Sequence, residues 1–191
     1  MTRLKTTLPA VIWFIAFILL SHAYAPEGYN WRTNTISDLG SQGLPRQWIM
    51  QAGFIGFGLL LTIGFGAKFI RAGSIGWVDV PVLLYGLCVL VTGFYSAAPI
   101  LPGMPTSQID ANIHSVFATL AGLLFTLGIA LRIFTATNLQ DRWVHVTFLV
   151  LVTACSAAFG LAENNMAPIA QGVAQRALYL VSFVWLVVGV S

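Results

Sequence analysis

Residues Ile109–Phe134 read IDANIHSVFATLAGLLFTLGIALRIF. Between Asp110 and Arg132 the run carries no carboxylate, lysine or arginine, and one histidine, His114. It is long enough to cross a bilayer, whose hydrocarbon core of about 30 Å takes about 20 helical residues. The chain around it has the same character: 191 residues, 58% hydrophobic and 8% charged, with a mean hydropathy of +0.84. A soluble domain of this size needs more charge to stay dissolved. The class is therefore an integral membrane protein. The net charge of +3 comes from basic residues spread singly between apolar runs and gives no nucleic-acid signal. Cys88 and Cys155 each fall inside an apolar run, where they read as small core residues.

Working outward, six runs have this length: Leu8–Tyr24, Trp48–Ile70, Val78–Ala98, Ile109–Phe134, Arg142–Ala162 and Gln171–Val190. Turn chemistry separates them, as APEGYN, RAGSIG, APILPGMP and AENNMAP. Ser107-x-x-Asp110 and Thr137-x-x-Gln140 have the spacing of capping boxes opening the fourth and fifth spans. Pro9 and Pro81 fall in first turns, where a missing N–H costs nothing. The amino terminus has a rival reading as a secretory signal ending in AYA, but Pro26 disfavours cleavage and a retained first span is expected.

With the amino terminus inside, Arg3, Lys5, Lys68, Arg71, Arg132 and Arg142 are cytoplasmic, against Arg32, Arg46 and Arg176 outside. Six against three follows the positive-inside rule. The expected fold is all-α, one domain over residues 1–191, a bundle of six antiparallel transmembrane helices with both termini cytoplasmic. Small residues four apart, in AGFIGFG and at Ala118 and Gly122, predict close helix packing within the monomer.

Polar residues then sort by side. The outer side collects Asn34, Thr35, Ser37, Asp38, Asp110, Asn112, His114, Glu163, Asn164, Asn165, Gln171, Gln175 and Arg176. His114 lies about 7 Å below the start of its span, and His22 is at a similar depth in the first. Ionisable groups at such depth face a bundle interior or a wet cavity. The expectation is an outward-facing polar pocket lined by spans one, four, five and six and lidded by Asn34–Gly40, NTISDLG. Asn34, Ser37, Asp38, Asp110, His114, Glu163, Gln175 and Arg176 are its candidate ligand-binding or organising residues. Each also has a plainer reading. Thr35-x-x-Asp38 is a capping-box spacing, Gly40 a helix stop, Asp110 a cap, and His114 a satisfied core histidine. Arg176 is expected to pair with Asp38 or Glu163, and Asp38 to lie close to Arg176 or His114.

NTISDLG after the first span, IHSVFATLAGLLF early in the fourth, and QR opening a last span with Trp185 together resemble a bacterial and archaeal six-span family. That family is catalogued as domain of unknown function nine-nine-eight. The resemblance covers nearly the whole chain and implies six helices, but no activity. It points to Asn34, Ser37, Asp38, Gly40, His114, Gln175 and Arg176. The chain departs from many relatives in ending at Ser191 without a basic tail, which bears on its carboxyl-terminal boundary and not on the fold. A more distant resemblance, to alkaline-ceramidase-like membrane hydrolases, rests on Ser37, Asp38 and His114 and implies zinc.

Three functions compete. The leading one is binding of a membrane lipid headgroup or small polar ligand, without cofactor, in a prokaryotic cell membrane. The second is a metal-dependent lipid hydrolase with zinc held by His22, His114 and Asp110. The third is a transporter, for which broken helices and midplane charge are wanting.

Overall fold

The computed structural model describes residues 7–73, 76–166 and 169–190. Arg3, Lys5 and Ser191 lie outside the described residues. Six α-helices follow one another: α1 (Leu8–Ala23), α2 (Gln47–Ala72), α3 (Val80–Phe94), α4 (Gln108–Thr135), α5 (Leu139–Glu163) and α6 (Gln171–Val188). A single 3₁₀ turn, Ser37–Gly40, stands between α1 and α2, and no strand occurs among the described residues.

Four helices, α2, α4, α5 and α6, are long and apolar enough to cross a membrane. α1 and α3 are apolar but shorter, at 16 and 15 residues, or about 24 and 23 Å. Only 11% of the most apolar window of α5 is buried inside the protein. Large apolar side chains such as Ile63, Leu123, Val150 and Leu180 point outward. An apolar exterior of this extent suits a lipid surround and not water.

Local chemistry accounts for the ends. Pro9 and Pro81 sit in the first turns of α1 and α3. Ser107 caps α4 by accepting from the Asp110 N–H, as expected. The α5 cap differs: Asn138, not Thr137, accepts from the Asp141 N–H at 2.8 Å. An amide oxygen one residue closer to the helix does the work assigned to the Thr137–Gln140 box. Gly73 closes α2 in the left-handed conformation, φ 67°.

Neighbours in sequence are neighbours in space, and the ring closes where α6 meets α1. There the Thr7 hydroxyl donates to the Leu186 carbonyl at 2.6 Å. α2 and α3 approach most closely, because a Cβ on Gly58 would run into the backbone of Gly86 and Leu90. The close-packing expectation therefore holds at AGFIGFG. It does not hold at Gly122, which is exposed and has open space where a Cβ would go. The centre of the ring is aromatic. Phe14 packs at a tilt on Phe57 at 5.0 Å and edge-on against Phe183 at 5.6 Å, and Trp185 meets Phe125 at 5.0 Å.

Candidate functional site

The 3₁₀ turn is a capping box on its own backbone. The Thr35 N–H donates to Asp38 Oδ2 at 2.7 Å, and the Asp38 N–H donates to Thr35 Oγ1 at 3.1 Å. Asn34 Nδ2 adds a third bond to the same carboxylate oxygen at 3.3 Å. Gly40 is not a left-handed stop. It lies against Met50, with the two Cβ positions 3.4 Å apart.

α6 holds this turn in place. Buried Gln175 accepts from the Ile36 N–H at 2.6 Å. Arg176, one position round the helix, donates to the carbonyls of Asn34 and Gly172, both at 2.9 Å. Its other terminal nitrogen donates to Tyr29 Oη at 2.5 Å and to His22 Nε2 at 2.9 Å. Tyr29 in turn donates to the Thr35 carbonyl at 2.9 Å. Gly172 lets this happen, since a Cβ there would collide with the carbonyls of Trp31, Arg32 and Asn34. Burial pushes the Tyr29 hydroxyl above its ordinary pKa, with Arg176 pulling against it and Asp38 adding to the rise.

Two expectations fail here. Arg176 pairs with neither Asp38 nor Glu163: among the described residues the ion pairs are Lys68–Asp79 and Arg132–Asp79. The turn folds the Asp38 carboxylate back onto its own backbone, and Arg176 faces away from it toward α1. His22 therefore joins the Arg176 cluster and no cavity. Its Nδ1 meets the Ile18 carbonyl at 2.9 Å, so Nε2 is left to accept from arginine.

Beside the turn lies a cleft of about 570 Å³. α3, α4, α5 and α6 line it, together with Thr35, Ser37 and Asp38 and with Phe54 of α2. α1, expected as a wall, contributes nothing, and α3 takes its place. Of the candidate residues, Ser37, Asp38, His114, Glu163 and Gln175 line the cleft. Asn34 and Arg176 organise the turn from behind it. Asp110 stays at the α4 cap, where its N–H meets Ser107 Oγ at 3.3 Å.

His114 is the most constrained of the five. Its Nδ1 lies 2.8 Å from the Tyr95 carbonyl and 3.1 Å from that of Thr92. Carbonyls only accept, so the proton sits on Nδ1 and a neutral ring leaves Nε2 as an acceptor. The ring closes off carbonyls that the end of α3 cannot pair. The plain reading of His114 as a satisfied core histidine is therefore right for one nitrogen only. Among the described residues Nε2 has no hydrogen-bond partner, and it is not sealed in the interior.

Sequence reasoning missed several contributors. Gln42 clamps the α3–α4 connection, accepting from the Ser107 N–H at 2.6 Å and donating to the Ser107 carbonyl at 2.9 Å. Its isolated position in a glycine-rich loop gave no signal. Tyr85, Tyr179 and Ser182 line the inner part of the cleft, hidden in runs read as uniform hydrocarbon. At the opposite end of the ring Asp79 takes ion pairs from Lys68 and, at 2.6 Å, from Arg132. Beneath it Trp185 donates to His145 at 3.3 Å.

The alternative zinc ligands are not brought together. His22 and His114 are each tied to different backbone carbonyls, and Asp110 stays at its cap. No three His, Cys, Asp or Glu side chains gather as metal ligands among the described residues. Comparisons with curated proteins and with solved structures returned no match. The family model described as "Protein of unknown function (DUF998)" matches residues 8–191, nearly the whole chain, and the chain belongs to that family.

Proposed function

We propose that the protein spans a prokaryotic cell membrane six times with both termini cytoplasmic, and that its cleft binds a membrane lipid from the outer leaflet. The observation that carries this reading is the cleft's gradient of polarity. Ser37, Asp38, His114, Glu163, Gln171 and Gln175 line one end. Val89, Phe125, Val152 and Leu178 line the walls beyond it, with the hydroxyls of Tyr85, Tyr179 and Ser182 set among them. The α4 side is open, with Ala118, Gly122 and Leu123 exposed where hydrocarbon would surround the helix. A headgroup would rest at the polar end while an acyl chain enters sideways along the apolar wall. Each methylene so buried contributes about 0.8 kcal/mol, and the volume falls within the roughly 300–1,000 Å³ usual for small-ligand sites. The lipid reading calls on no cofactor, and the residues of the alternative zinc set, His22, His114 and Asp110, are not gathered as ligands among the described residues.

Lipid retained through purification tests this. Native mass spectrometry of the wild type should show bound phospholipid, and Gly122→Trp should lose most of it while keeping its melting temperature. Gly122 is exposed with open space beside it, so the indole fills the cleft mouth without displacing core. Equal retention by the two proteins would refute the assignment. For orientation, Thr33→Cys in the exposed α1–α2 loop should react with an impermeant thiol reagent in intact cells. Reaction only after lysis would invert the topology.

A further inference from the structure

We infer that the headgroup the cleft selects is a protonated amine able to donate hydrogen bonds, an inference that rests on the lipid reading above. Three observations converge on it.

The first is the charge lining the cleft. Asp38 and Glu163 line it, and no lysine or arginine among the described residues does. The Glu163 carboxylate, at the exposed end of α5, takes part in no ion pair or hydrogen bond among the described residues. Asp38 uses Oδ2 for the turn, and Oδ1 has no hydrogen-bond partner among the described residues.

The second concerns the cations nearby, which are committed elsewhere. Arg176 spends both terminal nitrogens on Asn34, Gly172, Tyr29 and His22. Arg46 lies over the Tyr24 ring at 4.3 Å and Arg32 over the Trp31 ring at 5.4 Å, and Lys68 and Arg132 serve Asp79 at the far end. An anionic headgroup would face two carboxylates with no counter-charge beside it.

The third is independent of charge. His114 is 7% exposed and lines the cleft, with Nδ1 occupied and Nε2 free to accept. With Nδ1 given to two carbonyls, the ring offers the cleft its second nitrogen, which as an acceptor calls for a donor. An ammonium group carries three donors and no acceptor, which matches acceptors supplied by Asp38, Glu163 and His114. Buried Gln175 spends its carbonyl oxygen on Ile36. Its NH₂ has no partner in the structure, so it can meet a phosphate or ester oxygen of the same lipid. A quaternary ammonium has the charge but no N–H, and should rank second.

The test compares dioleoyl phosphatidylethanolamine, phosphatidylcholine and phosphatidylglycerol, each titrated into the purified full chain in detergent. Binding is read by native mass spectrometry and thermal shift. Like charges set against each other cost enough that the ethanolamine lipid should bind about tenfold or more tighter than the glycerol lipid, with the choline lipid between. Asp38→Asn keeps an oxygen to cap Thr35, and Glu163→Gln removes only a charge. Each should narrow the ethanolamine–glycerol gap, and the pair should erase it. Glu163→Lys places a cation at a helix carboxyl end, where it is tolerated, and should shift preference toward the glycerol lipid even if Asp38→Asn fails to fold. Equal binding of all three lipids would overturn the amine assignment and leave lipid binding standing. Binding of none would refute the lipid reading itself. Free ethanolamine binding as tightly as its lipid would keep the amine and overturn the acyl contribution.

Discussion

Arg176→Ala is the substitution on which the organisation of this end of the protein turns. The side chain makes four hydrogen bonds, two to carbonyls and one each to Tyr29 and His22. A hydrogen bond to a charged group contributes about 1.5–3 kcal/mol net, and a buried partner left unpaired costs about 1–3 kcal/mol. The four are not additive, because water can reach some of the orphaned groups, so the loss should be about 3 kcal/mol. For a chain of this length each kcal/mol moves the melting temperature by about 2–4 °C, which gives a fall of roughly 6–12 °C. Thermal unfolding in detergent, followed by tryptophan fluorescence, measures it. A double-mutant cycle then separates partners from bystanders. Arg176→Ala and Tyr29→Phe should together cost less than their sum, since both remove the same 2.5 Å contact. Arg176→Ala and Glu163→Gln should add. A fall under about 1 kcal/mol, or additivity with Tyr29, would refute the role of Arg176 in holding the turn to α6.

At the far end, Asp79→Asn should cost on the order of 3–5 kcal/mol in the same assay, because it leaves the nearly buried Arg132 uncompensated. Lys68→Ala should cost under about 1 kcal/mol, its side chain being 55% exposed; equal losses would contradict the asymmetry. Gly58→Val should destabilise or fail to fold, since its Cβ would meet the Gly86 and Leu90 backbone. Gly122→Val should be tolerated, and both are read by yield and melting temperature. The raised Tyr29 pKa has a definite sign: the stability it contributes is present below the ordinary phenol value of about 10 and is lost as pH rises through the folded value. Wild type should therefore lose melting temperature more steeply than Tyr29→Phe in alkali, and parallel curves would count against the burial of that hydroxyl.

The helices were legible because composition and length decide them. All six runs correspond to helices, with ends shifted by a few residues. The Thr35–Asp38 box and the Ser107 cap on the Asp110 N–H were legible because a capping bond links residues three apart in sequence. The partner of Arg176 was not. Charge complementarity favoured a carboxylate, and only the direction of α6's neighbouring faces shows Gln175 turned to the 3₁₀ turn and Arg176 turned to α1. The wall of the cleft was misread for a similar reason. Sorting residues by membrane side gives depth but no angle round the ring, so α1 and α3 could not be told apart.

The early stop of α3 links the fold to the cleft. The sequence predicted a span to Ala98, but the helix ends at Phe94 and Tyr95 is extended. At about 23 Å it is shorter than a roughly 30 Å hydrocarbon core, so on the proposed six-span reading the connection to α4 enters bilayer depth as irregular backbone. Such backbone is tolerated in a membrane only where protein or a wet cavity satisfies its polar groups. Here the satisfaction can be traced. His114 takes the Thr92 and Tyr95 carbonyls. Gln42 takes the carbonyls of Ser96 and Ser107 and the Ser107 N–H, and Gln51 takes the Ser96 hydroxyl at 2.7 Å. A full-length α3 would need none of these groups and would carry its apolar surface on past Phe94. In stopping short it draws a histidine from α4 to its end and leaves the second ring nitrogen facing the cleft. The same break that costs α3 its last turns thus creates the buried acceptor on which the binding proposal depends.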